Sequence, residues 1–301
     1  MTPDVSLVIV AYRAAAFLPS CLAALRAAAP GRTLEVVVVD NASADGTPEV
    51  VRSLEPEARI VANAENRGFA AAANQGARET RGRFLLFLNP DARVAPGALE
   101  ALVVALEAQD RAGLASPRLA ARDGTAQPSA WPEPRLATLA FDALLLRNLA
   151  PRSRLHRIEP ASDRPVVVPC VSGACLVARR ACFETLGGFD ERFFLYHEDW
   201  DLCLRAGKAG FASLLVPAAT AVHDLGGSAF QDRAAFWRYY HASRDAFIRK
   251  HFEGGRQRVA VTLHRMGLRL HAVASRLAGR PDEARALGAA RHALETRSPR
   301  P

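Results

Sequence analysis

The stretch LEVVVVDNASADGTPEVVRSL, residues 34–54, decides the architecture. Its run of four valines is short, β-branched and apolar at every position, so residues 34–39 read as a strand buried on both faces. That strand ends on Asp40. Thr47 then reads as a helix N-cap with Pro48 at the first helical position, and Val50, Val51 and Leu54 share one helical face. The same handover from buried strand to helix recurs on both sides. Upstream, residues 5–11 form a strand, and Leu18, Cys21, Leu22 and Leu25 follow at helical spacing until Pro30-Gly31 stops them. Downstream come a short strand at Ile60-Val61, a small-residue helix over 69–80 and a fourth strand over 84–88. That strand ends on Asn89-Pro90-Asp91, and Pro96 opens a helix carrying Leu99, Leu102, Val103 and Leu106.

Alternating strands and helices imply an α/β fold with right-handed crossovers and a mainly parallel central sheet flanked by helices. In such sheets ligands bind beyond the C-terminal strand ends. Tyr12, Asp40 and Asp91 all stand at such ends. Between residues 120 and 169 the pattern weakens to loops and a short helix around Trp131 and an apolar patch at 139–149, which reads as an acceptor-side lid. Regularity returns at 171–178, followed by a Gly187-Gly188-Phe189-Asp190 turn and a helix through 199–208. Residues 230–252 and the chain from Arg256 onward read as helical.

Composition narrows the classes. Of 301 residues, 50% are hydrophobic and 23% charged, which excludes a disordered chain. Cys21, Cys170, Cys175, Cys182 and Cys203 are odd in number and form no Cys-x-x-Cys pair, as expected of packed, reduced thiols in a cytoplasmic protein. No signal peptide is indicated, and no apolar run reaches the roughly 18 residues that span a bilayer. The net charge of +8 is concentrated after residue 255, where ten arginines face three acids. There Arg258, Arg265, Arg269 and Arg276 share one helical face, beside Val259, Leu263, Met266, Leu270 and Val273. Two readings fit: an interfacial helix on anionic lipid, or a tail packed on protein. No nucleic-acid motif accompanies the basic tail.

The polar candidates each admit two readings. Asn89-Pro90-Asp91 is either an Asx-type turn or a site for Mg²⁺ or Mn²⁺, which needs few protein oxygens when a diphosphate supplies others. Asp40 either caps the following turn or accepts the imide N–H of a pyrimidine. The cluster His197-Glu198-Asp199-Trp200-Asp201 opens a helix, where carboxylates favour the N-terminus. Three acids exceed what capping requires, and the other reading is a general base. His223 is either structural or a ligand.

In this order, VVVVDNASADGT, ENRGFAAAANQG, LNPDARV, SGACLVARR, GGFDERFFLYHEDWDLCLR and VHDLGGS resemble the family-2 inverting glycosyltransferases of the GT-A fold, rhamnosyltransferase-like members above all. The resemblance covers about residues 5–252 and implies a catalytic domain over 1–252 with a basic helical extension over 253–301. It implies that Asp91 and His223 hold a divalent metal and that Asp199 is the catalytic base, with Glu198 beside it. It puts Ala11, Tyr12 and Asp40 at the pyrimidine and Arg67, Asn74 and Asn89 along the donor. Gly173 and Ala174 fall at a backbone turn lining donor sugar or acceptor. A UDP- or dTDP-sugar donor, a glycan or lipid-linked acceptor and a place at the inner membrane face are further expectations. A dinucleotide oxidoreductase is disfavoured because Tyr12-Arg13-Ala14-Ala15-Ala16 holds no glycine. A sugar nucleotidyltransferase would want a Gly-rich, Lys-containing loop there, and a non-catalytic homologue would be expected to lack Asp91 or Asp199.

Overall fold

The computed structural model describes residues 2–224 and 232–296, so the Gly226-Gly227-Ser228 segment singled out in the sequence lies outside the described residues. The first half runs β1 (Val5–Ala11), α1 (Leu18–Ala28), β2 (Leu34–Asp40), α2 (Thr47–Leu54), β3 (Arg59–Ala62), α3 (Phe69–Arg78) and β4 (Phe84–Leu88). β1 pairs in parallel with β2 and β4, and β3 extends the parallel set beyond β2. Every residue of β1 and β4 is buried, as their unbroken apolar runs require.

The second half contains β5 (Ala92–Val94), α4 (Ala98–Glu107), β6 (Ala112–Ala120), β7 (Ala126–Gln127), β8 (Ala130–Trp131) and α5 (Leu136–Ala143). A 3₁₀ turn (Leu146–Asn148), β9 (Val166–Val168), β10 (Cys170–Val171), β11 (Cys175–Arg179), α6 (Arg180–Thr185), α7 (Glu198–Lys208) and β12 (Ala212–His223) follow. The main sheet runs β3-β2-β1-β4-β11-β6-β12-β5. β11 is antiparallel to both β4 and β6, and β12 is parallel to β6 but antiparallel to β5 and β9. The sheet is therefore mixed, a departure from the mainly parallel expectation. Sequences such as AGLASPRLA in β6 carry few β-branched residues, and composition does not encode strand direction.

Apolar side chains alternate between two cores: Leu7, Ile9, Leu86 and Leu99 fill one face, and Val8, Leu85, Phe87 and Leu202 the other. All five cysteines are free and buried. Two helix starts differ from expectation. Gly46, at φ 83°, is the N-cap of α2, and Thr47 lies inside the helix, where its hydroxyl accepts from Ala14 N. α4 likewise begins after the left-handed Gly97.

α8 (Arg233–His251), α9 (Gly254–Leu277) and α10 (Pro281–Thr296) complete the described chain. α9 lies along α5, with a Cβ at Gly267 only 2.9 Å from Ala143 Cα, and α10 covers α8 and α9. Leu139, Ile248, Phe252 and Ala260 join α5, α8 and α9 in one small core. The segment read as a lid is thus, over α5, a packed wall. Among the described residues no helix is long and apolar enough to cross a membrane.

Candidate active site

A cavity of about 410 Å³ opens past the C-terminal ends of β4 and β12. It brings Asn89, Gly173, Ala174, Glu198, Asp199 and His223 together from four separate stretches of chain. Two backbone links make them one unit. Asn89 N donates to Ala174 O at 2.9 Å, and the next N–H back along the chain, on Gly173, donates to Asp199 Oδ2 at 2.8 Å.

At one end, β12 runs antiparallel to β5, with His223 opposite Ala92, and Asp224 N closes onto Asp91 O at 3.0 Å. This pairing sets His223 Nε2 at 3.5 Å from Asp91 Oδ1 and 3.4 Å from Asn89 Nδ2. A carboxylate oxygen and an imidazole nitrogen that close can share one cation with bonds of about 2.1 Å. Among the described residues no group of three or more His, Cys, Asp or Glu side chains could hold a metal. The donor set therefore fits a cation completed by a diphosphate and water, not a cage built by protein alone.

At the other end, Tyr196 and His197 take left-handed conformations, at φ 69° and 67°, to turn the chain into α7. Such strain in two adjacent non-glycine residues clusters at functional sites. Asp199 is fixed on both oxygens: Gly173 N donates to Oδ2 and Trp200 N to Oδ1, each at 2.8 Å. Burial raises its pKa, and the two backbone N–H donors hold part of that rise back by favouring the charged form. Glu198 is also buried, but its Oε2 has no hydrogen-bond partner. Burial, and then the Asp199 charge, push Glu198 well above the usual carboxylate range. Burial thus raises both carboxyls, and Glu198 further, because Asp199 has two backbone N–H donors and Glu198 Oε2 has no partner.

Asp40 and Ala11 lie side by side at paired strand ends outside the cavity lining. Asp40 Oδ1 accepts from Ser43 N at 3.2 Å, so this carboxylate does hold the following turn. The Ala11 carbonyl accepts from Asn41 N and the Ser43 hydroxyl. Tyr12 is half-buried with Arg13 5.3 Å from its ring centre, and Arg67 is exposed, its side chain reaching Gln75. Asn74 is bonded within the protein. Its Nδ2 donates to Phe189 O and Glu191 Oε1, and its Oδ1 accepts from Phe189 N. The amide is consumed in holding α3 to the 187–190 turn, where a Cβ on left-handed Gly188 would stand 2.5 Å from Asn74 Oδ1.

Three polar residues not assigned individually from sequence shape the site. Buried Asn41 bonds Asn63, Asn66, Arg67 N and Gly68 O, organising the loop before α3. Fully buried Asp201 accepts from Arg205 at 2.7 Å and meets His251 at 2.8 Å, with Lys250 beside them. Burial works to raise its pKa, but those bonds and charges prevail and hold it low. The third acid of the cluster therefore pins α7 to α8. Asp224 pairs with Arg122 and Arg93, and the Arg122 hydrogen bond foremost brings its pKa down to about 2. Each lies one or two residues after a candidate site residue (Asn41 after Asp40, Asp201 after Asp199, Asp224 after His223), and that closeness in sequence does not separate a ligand from a brace.

Residues 6–187 match the family described as Glycosyl transferase family 2. The chain is 35% identical over 271 residues, covering 84% of its own length and 87% of the relative's, to the N-acetylglucosaminyl-diphospho-decaprenol L-rhamnosyltransferase of Mycobacterium tuberculosis. The fold matches the mannosyltransferase PcManGT of Pyrobaculum calidifontis, solved with GDP-Man and Mn²⁺, at a TM-score of 0.57 and 20% identity over 96% of this chain and 86% of that one. S. aureus TarS 1-349 with UDP-GlcNAc aligns at 0.54 and 15% identity over 96% and 80%. The architecture is that of the GT-A glycosyltransferases, and the chain is a glycosyltransferase belonging to glycosyl transferase family 2.

Proposed function

We propose that this enzyme transfers a sugar, rhamnose being the first candidate, from a UDP- or dTDP-sugar to a hydroxyl of a lipid-linked glycan acceptor, with inversion. The supporting observation is the placement of Asp199 in the same cavity as Asn89 and His223, with both its oxygens aimed by backbone N–H groups. Asp199 takes the proton from the acceptor hydroxyl as that oxygen attacks the anomeric carbon opposite the departing nucleoside diphosphate. Glu198, buried beside it with a raised pKa, leaves the negative charge mainly on Asp199. Asp91 and His223 hold a divalent metal, Mg²⁺ or Mn²⁺, which when bound neutralises the diphosphate leaving group. Asp40 reads the pyrimidine at the neighbouring strand end, with Ala11 and Tyr12 beside it and Arg67 at the donor's edge. The relative's lipid-diphosphate acceptor supports a cell-envelope role at the cytoplasmic face of the membrane.

Residues 1–252 serve as the catalytic domain and 253–301 as a basic extension that meets the bilayer. α9 carries Val259, Leu270, Val273 and Leu277 exposed along one side, with Arg258, Arg269 and Arg276 flanking them. The test is a panel of UDP-, dTDP- and GDP-sugars, each with a lipid-diphosphate N-acetylglucosamine acceptor, and NMR of the product's anomeric centre. Transfer with inversion from one pyrimidine donor is expected. Retention of configuration, or turnover of none of these donors, overturns the reading.

A further inference from the structure

The cavity has a second charged end that the transfer chemistry leaves unused. Beyond Glu198 and Asp199 its wall carries Arg244 from α8 and Arg147 from the 3₁₀ turn after α5. Arg244 Nη2 bonds Asp142 Oδ2 at 3.0 Å, and His156 Nδ1 approaches Asp142 Oδ1 at 3.7 Å. Asp142 thus feels the charge of both guanidinium groups, Arg244 through the bond and Arg147 across the wall. The Arg244 side chain is only 11% exposed. A buried guanidinium is costly without anionic partners, and its fork suits phosphate oxygens. The ledge around Arg147 is apolar: Leu155 lines the cavity, and Leu144 and Leu149 are 50% and 83% exposed. Ala143, next to Leu144, packs against Gly267 of α9, so the ledge lies beside that helix.

We propose that Arg147 and Arg244 bind the diphosphate of the lipid-linked acceptor, with the first isoprenoid units lying along Leu155, Leu149 and Leu144 toward α9. The inference rests on the lipid-linked acceptor reading and adds its anchoring subsite. One cavity then holds the base for the acceptor sugar and the cations for the diphosphate attached to that sugar. Carboxylates, guanidiniums and a leucine on one wall supply partners for the sugar, the diphosphate and the lipid of the acceptor.

The experiment compares wild type with Arg147→Gln and Arg244→Gln on two acceptors: N-acetylglucosamine on a short isoprenoid diphosphate, and the same sugar on an uncharged lipid glycoside. Inorganic pyrophosphate serves as competitor, and dTDP affinity and melting temperature are measured on each preparation. Expected are an acceptor KM raised about tenfold or more for the diphosphate substrate, an unchanged dTDP affinity, and competition by pyrophosphate against acceptor that each variant loses. The uncharged acceptor should be poor for wild type and indifferent to the substitutions. Arg244→Gln strands Asp142; if it melts early, Arg147→Gln carries the comparison. Equal effects on both acceptors, or an unchanged KM in Arg147→Gln, overturn the subsite while leaving the transferase reading intact. Donor hydrolysis without transfer to either acceptor removes the acceptor reading, and the subsite with it.

Discussion

Gly173 N donates to Asp199 Oδ2 at 2.8 Å, and a Cβ at position 173 would stand 3.0 Å from Asp199 Cβ. The close approach explains why this turn carries glycine: any side chain here pushes the carboxylate off its aim. Gly173→Ala should lower kcat about tenfold to a hundredfold, since small misplacements of reacting groups cost that much. Nucleotide affinity should stay unchanged. Initial rates paired with calorimetric dTDP titration check it; a normal kcat would show that Asp199 tolerates the shift.

Asp199→Asn should lose transfer by about a hundredfold or more while keeping near-normal nucleotide affinity, because general bases typically contribute ~10²–10⁴. Glu198→Gln should be milder, since the amide is a neutral stand-in for a carboxyl whose pKa burial raises well above the usual range. The measurement is initial rate at saturating donor. A dead Glu198→Gln beside an active Asp199→Asn would exchange the two roles.

EDTA should abolish transfer, and Mn²⁺ or Mg²⁺ should restore it. Asp91 Oδ1 and His223 Nε2 are 3.5 Å apart, so His223→Ala removes one of the two converging donors. The variant should need about tenfold more metal for half-maximal activity and show weaker Mn²⁺ binding by calorimetry in the presence of dTDP. An identical metal titration would return His223 to a structural role.

Asp40→Ala should weaken UDP and dTDP binding, while GDP should bind poorly to both proteins. Asp40 Oδ1 also bonds Ser43 N, so the melting temperature must be compared on the same samples. Unchanged dTDP affinity in a stable variant would leave Asp40 as a turn residue only.

Acid should destabilise the fold between pH 7 and 5. Burial is the first cause that lowers His197 to about 3 and holds His241 and His264 well below the usual histidine value. The unfolded chain therefore binds protons near pH 6.5 that the folded chain refuses. Each such histidine contributes stability present above pH 6.5 and lost below it, at up to about 1.4 kcal/mol per pH unit. Glu198 pulls the other way, because its raised pKa makes the folded chain bind the extra proton. Thermal melts at pH 7, 6 and 5 should fall, and Glu198→Gln should steepen the fall. A flat profile would show that these imidazoles take up protons in place.

β1, β2 and β4 were legible because their runs are almost wholly apolar and mostly buried, and β3 showed only as its Ile60-Val61 centre. β6 and β12 were not, since AGLASPRLA and the Ala-rich 212–223 stretch owe their strand state to neighbours on both sides. The same limit applies to the polar residues. In sequence, Glu198, Asp199 and Asp201 are three acids at one helix start. Only the fold gives Asp201 its cations from α8 and Asp199 its backbone donors. Asn74 shows the same limit: the 187–190 turn that its amide bonds lies more than a hundred residues away.

The 2.9 Å bond from Asn89 N to Ala174 O has a bearing on engineering. The loop after β4 and the turn before β11 are 85 residues apart in sequence, yet each sets the other's height at the shared cavity. Grafting a foreign donor-side loop alone, to change sugar preference, would tilt the turn that aims Asp199. Chimaeras between relatives should therefore exchange the 89–91 and 172–174 segments as a pair.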